Sequence, residues 1–239
     1  MQCPICKTET HEQRQDTPYF VCGHCDCWFQ DLSLPKIMHG DHEAPPEQMI
    51  EADKEINANL ALALFNRYLE PLELWGARPN TLDIGCAYPW LAHSLYRLGC
   101  RAHGMEPGKQ VEQWCSELNV KHEPCDFDDA EHNAILLGEE FHLITMVHVF
   151  EHMYDPLAAL NKLRSLIHDD GVVYLRMPAH DVAGFERDLT EGHYTIHPFF
   201  HCYDSVMEAI VQTGLFTVES TYAVPPGCRD FILRPIIGE

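Results

Sequence analysis

Apolar positions recur along this chain with two periods, and the change from one to the other marks its elements. Over residues 47–76, EQMIEADKEINANLALALFNRYLEPLELWG, Ile50, Ile56, Leu60, Leu64 and Leu69 fall at mostly helical offsets ahead of Gly76 and Pro79, which predicts a helix. Short apolar runs then alternate with helical stretches. TLDIGC (81–86), RAHGME (101–106), VKHEPCDF (120–127), FHLITMVHVF (141–150) and GVVYLRMP (171–178) read as strands. PWLAHSLYRLG (89–99), GKQVEQWCSELN (108–119), DPLAALNKLRSLIHDDG (155–171) and HCYDSVMEAIVQTG (201–214) read as helices. LFTVESTYAV (215–224) and RDFILRPI (229–236), joined through Pro225-Pro226-Gly227, close the chain as an antiparallel pair. Alternation of this kind implies an α/β fold: a mostly parallel sheet, right-handed crossovers and helices on both faces. Ligands of such sheets sit beyond the carboxyl ends of the strands, at the switch point.

The first 30 residues follow another pattern. Cys3-Pro-Ile-Cys6, fifteen intervening residues and Cys22-Gly-His-Cys25 have the C-x2-C-x15-C-x2-C spacing of a zinc ribbon. Four thiolates close the shell of a tetrahedral ion, so Cys3, Cys6, Cys22 and Cys25 are expected to hold a structural zinc. Tyr19-Phe20-Val21 reads as a short strand, and His24 and Cys27 are near neighbours able to compete as ligands. A segment this short lacks a core and must take its folding energy from the metal. The expected organisation is a ribbon over 1–30, a linker over 31–46 containing Pro35, Gly40, Pro45 and Pro46, and one α/β domain over 47–239.

Composition narrows the partners. The 239 residues carry a formal charge of −21, and a surface this acidic repels phosphate backbones, so nucleic acid is not the expected partner. The start, MQCPICKTE, has no basic segment followed by an apolar run, and no stretch approaches the roughly 18 apolar residues of a membrane span. A cytoplasmic protein with reduced thiols and no membrane partner is expected; nothing in the sequence speaks to its oligomeric state.

The turn LDIGCAYPW (82–90) carries candidate chemistry. Gly85 permits a tight turn and close approach of a ligand, and the second strand ends at Glu106, at the offset where an acidic side chain can accept hydrogen bonds from ribose hydroxyls. Together with HGMEP (103–107), CDF (125–127), VFEHMYDP (149–156) and the C-terminal hairpin, the turn resembles the ordered motifs of class I S-adenosylmethionine-dependent methyltransferases, over about residues 50–239. The resemblance implies a Rossmann-like seven-stranded sheet and an S-adenosylmethionine cofactor. It further implies that Asp83 and Gly85, with Ala87 in the same turn, line the methionine and ribose region, that Glu106 holds the ribose, and that Asp126 and Phe127 flank the adenine. Family members commonly read G-x-G or G-x-A-x-G here, whereas this chain has Gly85, Ala87 and Pro89. Proline is favoured in the first turn of a helix, so Pro89 is expected to open the helix and leave cofactor binding intact.

Methyl transfer needs in-line geometry and an acceptor freed of its proton. His148, Glu151 and His152, after the fourth strand, should face the substrate side of the cofactor pocket. Their positions resemble an E-x2-E-H metal cluster of quinone-pathway O-methyltransferases, with His148 replacing the first glutamate. Three roles stay open for them: a divalent-ion site, a Glu–His pair with a structural or cofactor-positioning role, or a general base at His152. His193, His197 and His201 recur every four residues, but Pro198 argues against one continuous helix. In the family this loop often covers the substrate, so His197 and His201 are further candidate bases.

These readings describe a methyltransferase acting on an oxygen or nitrogen of a small molecule or nucleotide-linked sugar. Two alternatives remain: a non-catalytic adaptor that keeps the fold, and an RNA methyltransferase gripping its substrate through the ribbon. The ribbon combination does resemble certain ribosomal-RNA guanine methyltransferases. Yet residues 1–30 carry only Lys7 and Arg14 against Glu9, Glu12, Asp16 and Asp26.

Overall fold

Three two-residue strands, β1 (Glu12–Gln13), β2 (Phe20–Val21) and β3 (Trp28–Phe29), open the chain in a computed structural model that describes residues 1–9, 12–14, 17–33, 47–72, 74, 76–128, 139–185 and 197–238. Most of the expected linker, together with His193, lies outside the described residues. The helix expected after it is α1 (Glu47–Leu64), which passes into a wider turn over Phe65–Leu69. There follow β4 (Asn80–Ile84), α2 (Trp90–Arg97), β5 (Arg101–Met105), α3 (Lys109–Glu117), β6 (Lys121–Glu123) and β7 (Phe141–Val147). A tight 3-10 turn over Phe150–His152 leads to α4 (Pro156–Leu166), β8 (Ile167–Pro178), β9 (Phe199–Phe200), α5 (Tyr203–Thr213), β10 (Phe216–Val224) and β11 (Cys228–Pro235).

Local chemistry explains most boundaries. Asp155 caps α4, its carboxylate accepting from the Ala158 N–H at 2.9 Å, and Pro156 supplies a first helical residue that needs no donor. The helix was expected to run to Gly171 but ends at Leu166. Asp169 and Asp170 would put negative charge at its carbonyl end, where the dipole disfavours it, and buried Ile167 instead starts β8. The strand expected over 120–127 stops at Glu123, because Pro124 offers no N–H to continue the ladder.

Seven strands form one sheet in the order β10-β11-β8-β7-β4-β5-β6. β4 pairs in parallel with β5 and β7, and β5 with β6, while β10 and β11 form the expected antiparallel hairpin. All five residues of β4 are buried, as a strand flanked on both sides must be. The winding reverses beside β4, which makes its carboxyl end the switch point. Gly104 in β5 is required there: a Cβ would stand 2.7 Å from Cys86 Sγ.

The chain divides into two compact units, one formed by residues 39–146 and 166–173, the other by 1–38, 147–165 and 174–239. The sequence-based division at 30 and 46 differs from this grouping. β1, β2, β3 and β9 make a second, four-stranded sheet in which β3 pairs antiparallel with Phe199–Phe200, so the cysteine-rich segment is built into the second unit.

Candidate active site

In the first unit the β4–α2 turn is wound by two left-handed residues, Gly85 (φ 67°) and Ala87 (φ 41°). Glycine occupies that region freely, whereas a Cβ there costs about 1–2 kcal/mol, so Ala87 holds a glycine-type backbone under strain. The Gly85 and Cys86 N–H groups both donate to the Met105 carbonyl, at 2.8 and 3.2 Å, which closes the turn against β5. Pro89 is the N-cap of α2, one residue ahead of the first helical position, with φ −78°. It opens the helix where no donor is needed, and its carbonyl accepts from the His93 N–H at 2.8 Å.

Two carboxyl groups flank this turn. Glu106 is buried at the end of β5, with Oε2 3.4 Å from the Ala87 N–H and its carbonyl accepting from His122 Nε2 at 2.9 Å. Asp83 is buried in β4 and accepts from Thr145 Oγ1 at 2.6 Å. Burial pushes the Asp83 carboxyl up to about 7, against the Thr145 hydrogen bond and with a contribution from the charge of Glu106. The folded protein therefore keeps a proton that the unfolded chain has lost above its ordinary value of about 3.9, so stability should fall as pH rises from about 4 to 7 and stay low above it. Asp83→Asn should remove that slope and gain roughly 2–3 kcal/mol at pH 8, after allowance for a weaker Thr145 bond. Denaturant melts at pH 5 and 8 with equal differences between the two proteins would contradict this. Asp126 and Phe127 follow β6; Phe127 is buried, and Asp126 Oδ1 accepts from the Asp128 N–H at 3.0 Å.

The second unit holds a histidine cluster around one carboxylate. Glu151, in the tight turn after β7, is fully buried, and neither of its oxygens accepts a hydrogen bond among the described residues. Glu151, His152 and His197 bring their ligand atoms within 4.8 Å of one another. The His152 and His197 rings meet edge to face at 4.7 Å, and His148 Nδ1 stands 3.5 Å from Glu151 Oε1. Burial alone would raise the Glu151 carboxyl, but the imidazoles of His148, His152 and His197 outweigh it and hold it below the usual range. For His148, whose backbone is left-handed (φ 57°) and whose side chain is about half exposed, partial desolvation opposes the charge, but the contacts to Cys228 and Glu151 prevail and raise its pKa. His201 is fully buried between Phe150 and Phe199, with Nδ1 3.3 Å from Ser205 Oγ, and burial lowers it to about 4.

The cysteines form a third group. The sulfurs of Cys3, Cys6, Cys22 and Cys25 lie within 4.8 Å of one another, with Cys3 to Cys25 at 3.7 Å and Cys6 to Cys22 at 3.4 Å. Around a tetrahedral zinc with Zn–S of about 2.3 Å, sulfurs stand about 3.8 Å apart, so the donor set and its spacing fit that ion. Neither suspected competitor belongs to the group: Cys27 is buried with its thiol directed at the Trp28 carbonyl, and His24 pairs with Glu208 at 3.8 Å. Asp26, His180 and Cys202 form a smaller set, in which His180 Nε2 contacts the Asp26 carbonyl at 2.7 Å.

Thus the structure brings Asp83, Gly85, Ala87 and Glu106 together in one unit and His148, Glu151, His152 and His197 in the other. The link from Glu151 and His152 to His197 had no signal in the sequence beyond a shared residue type, because more than forty residues separate them.

Comparison with known proteins bears on the family and the fold. Residues 53–209, more than half of the chain, match the family model described as a methyltransferase domain. Among curated proteins, ubiquinone biosynthesis O-methyltransferase of Actinobacillus pleuropneumoniae serotype 5b is 27% identical over 102 residues, 40% of this chain and 44% of that protein. The chain thus spans less than half the length of that relative. Among solved structures, magnesium protoporphyrin IX methyltransferase of Synechocystis PCC 6803 with bound S-adenosylhomocysteine aligns with a TM-score of 0.56 at 15% identity, over 82% of this chain and 90% of that one. N-methyltransferase NodS of Bradyrhizobium japonicum WM9, also in complex with S-adenosylhomocysteine, aligns at 0.52 and 15%, over 76% and 86%. At these identities the structures speak for the fold, a Rossmann-like methyltransferase sheet. Among the described residues no helix is long and apolar enough to cross a membrane.

Proposed function

This chain belongs to the methyltransferase-domain family, and from that premise we propose that it moves a methyl group from S-adenosylmethionine to an oxygen or nitrogen of a small molecule, a nucleotide-linked sugar included. The observation that carries the reading is the pairing of the left-handed Gly85–Ala87 turn with the Glu106 carboxylate at the switch point. Gly85 and Ala87 shape the backbone against which a nucleoside can lie, Glu106 accepts from its ribose hydroxyls, Asp83 supports the turn from β4, and Asp126 and Phe127 flank the base. Pro89 changes the motif without obstructing it. The sulfonium, when bound, supplies an electrophilic methyl group. A curated relative named for ubiquinone biosynthesis, together with the −21 charge, favours a small acceptor over RNA.

On the acceptor side, the Glu151 carboxylate charge-stabilises an imidazole, and His152, half-buried beside it, takes the acceptor's proton with His197 packed against its ring. His148 contributes charge to Glu151. His201 is enclosed by aromatic rings and serves better as packing than as a base. A second reading of Glu151, His152 and His197 rests on their 4.8 Å convergence: one carboxylate and two imidazoles suit a divalent transition ion. Cys3, Cys6, Cys22 and Cys25 hold a structural zinc in this proposal, with no open position for chemistry.

Calorimetry with S-adenosylhomocysteine tests the cofactor half. Each charge-assisted bond to Glu106 contributes on the order of 1.5–3 kcal/mol, so Glu106→Ala should weaken binding at least about tenfold. Equal affinity in the two proteins would put the nucleotide elsewhere. Transfer of a labelled methyl group to a panel of phenols, amines and nucleotide sugars, with a transfer RNA and a ribosomal RNA alongside, tests the acceptor class. Methylation of RNA alone would overturn the small-molecule assignment.

A further inference from the structure

The cysteine-rich segment meets the histidine cluster at the His197 backbone carbonyl. Tyr19 donates its hydroxyl to the His197 carbonyl at 2.6 Å, and Gln30 donates Nε2 to the same oxygen at 2.9 Å. The Gln30 N–H donates to the neighbouring Pro198 carbonyl at 2.9 Å. From there the chain enters β9, where Phe199 and Phe200 pair with Phe29 and Trp28. The pairing is buttressed by a buried aromatic cluster of Tyr19, Trp28, Phe185 and Phe200, with Tyr19 and Phe200 rings 5.0 Å apart.

The His197 carbonyl and the residues that follow it are thus held by side chains and backbone lying between the two cysteine pairs or just beyond the second. Two donors converging on one carbonyl, next to a proline and a registered strand, leave the His197 backbone little freedom. That backbone sets where the ring starts from, and the ring packs against His152 at 4.7 Å and Phe200 at 5.3 Å. A base works only when held close to its productive geometry, and rigid support fixes it better than a loop alone.

We infer that the cysteine-rich module is a positioning element of the acceptor site: through Tyr19 and Gln30 it fixes His197 against His152, and its metal maintains that arrangement. This rests on the reading of His152 and His197 as acceptor-side groups. Tyr19 and Gln30 touch no reacting atom in it, and are positioning residues.

The test uses full-length, metal-replete protein labelled with 13C at histidine Cε1, with S-adenosylhomocysteine as the only added ligand. Signals of His152 and His197 are assigned from His152→Gln and His197→Gln. The parent should show a nuclear Overhauser contact between the two rings. Tyr19→Phe combined with Gln30→Ala should lose that contact and shift both signals, while zinc content and S-adenosylhomocysteine affinity stay parental. Gln30→Ala alone, which alters only a half-buried side chain, should weaken the contact, and it keeps the question answerable if the double variant folds poorly. An unchanged contact and unchanged signals in either variant that retains its zinc would overturn the inference. The proposed base is judged separately: undiminished methyl transfer by His152→Ala would remove that role for the cluster and leave the positioning result standing.

Discussion

Protein purified without chelator should carry about one zinc per chain, and Cys22→Ser should lose it together with the ordered structure of the N-terminal module. Four sulfurs lie within 4.8 Å of one another beside strands only two residues long, a segment with little other support for an ordered fold. Folding energy for such a segment comes from the metal, which in isolated zinc-finger peptides is worth about 10–16 kcal/mol. Here the loss should be smaller than in a free peptide, because β3 also pairs with β9 and the Tyr19–Phe200 cluster contributes apolar burial. The expected result is zinc near stoichiometry in the parent, none in Cys22→Ser, and a changed near-ultraviolet signal as Tyr19 and Trp28 lose their packing. Elemental analysis without zinc in the parent would remove both the metal and the assignment of this segment as a ribbon.

The second large effect is on transfer itself. A positioned general base contributes about 10²–10⁴-fold, so His152→Ala should lower the single-turnover rate by that order once an acceptor is identified. Because the base must be neutral to accept a proton, the parental rate should rise with pH as the imidazole deprotonates, and that limb should disappear in the variant. Glu151→Gln should reduce the rate as well: it removes the buried negative charge that the imidazoles of His148, His152 and His197 surround. Single-turnover measurements are needed because slow product release would mask the titration. A metal at Glu151, His152 and His197 would behave differently, with chelation abolishing transfer and one divalent ion restoring it. A parental rate in His152→Ala would rule out the base.

The same three residues show what could be read along the chain and what could not. Periodicity located the strands of the seven-stranded sheet, the crossover helices and the closing hairpin, because burial on a sheet or a helix face imposes its period locally; β1, β3 and β9, two residues each, were too short to show one. The two cysteine pairs were likewise legible, since each knuckle is a four-residue unit. So was the Gly85–Glu106 pairing, which the length of one strand–helix–strand unit sets. The conformation of Ala87 was not: alanine does not announce φ 41°, and only the closure of the turn onto Met105 forces it there. Nor could the end of α4 be read from its apolar pattern, because Ile167 belongs equally well to a helix face and to a buried strand. Above all, the joining of residues 1–33 to the segment around His197 depends on a hydrogen-bonded pairing between β3 and β9, more than 160 residues apart. Strand pairing leaves no local period to identify its partner, and a carbonyl accepting from Tyr19 and Gln30 carries no side-chain signature. Local physics therefore determined the elements and the metal-type spacing in advance; tertiary structure alone decided which histidine stands beside Glu151 and His152 and what holds it there.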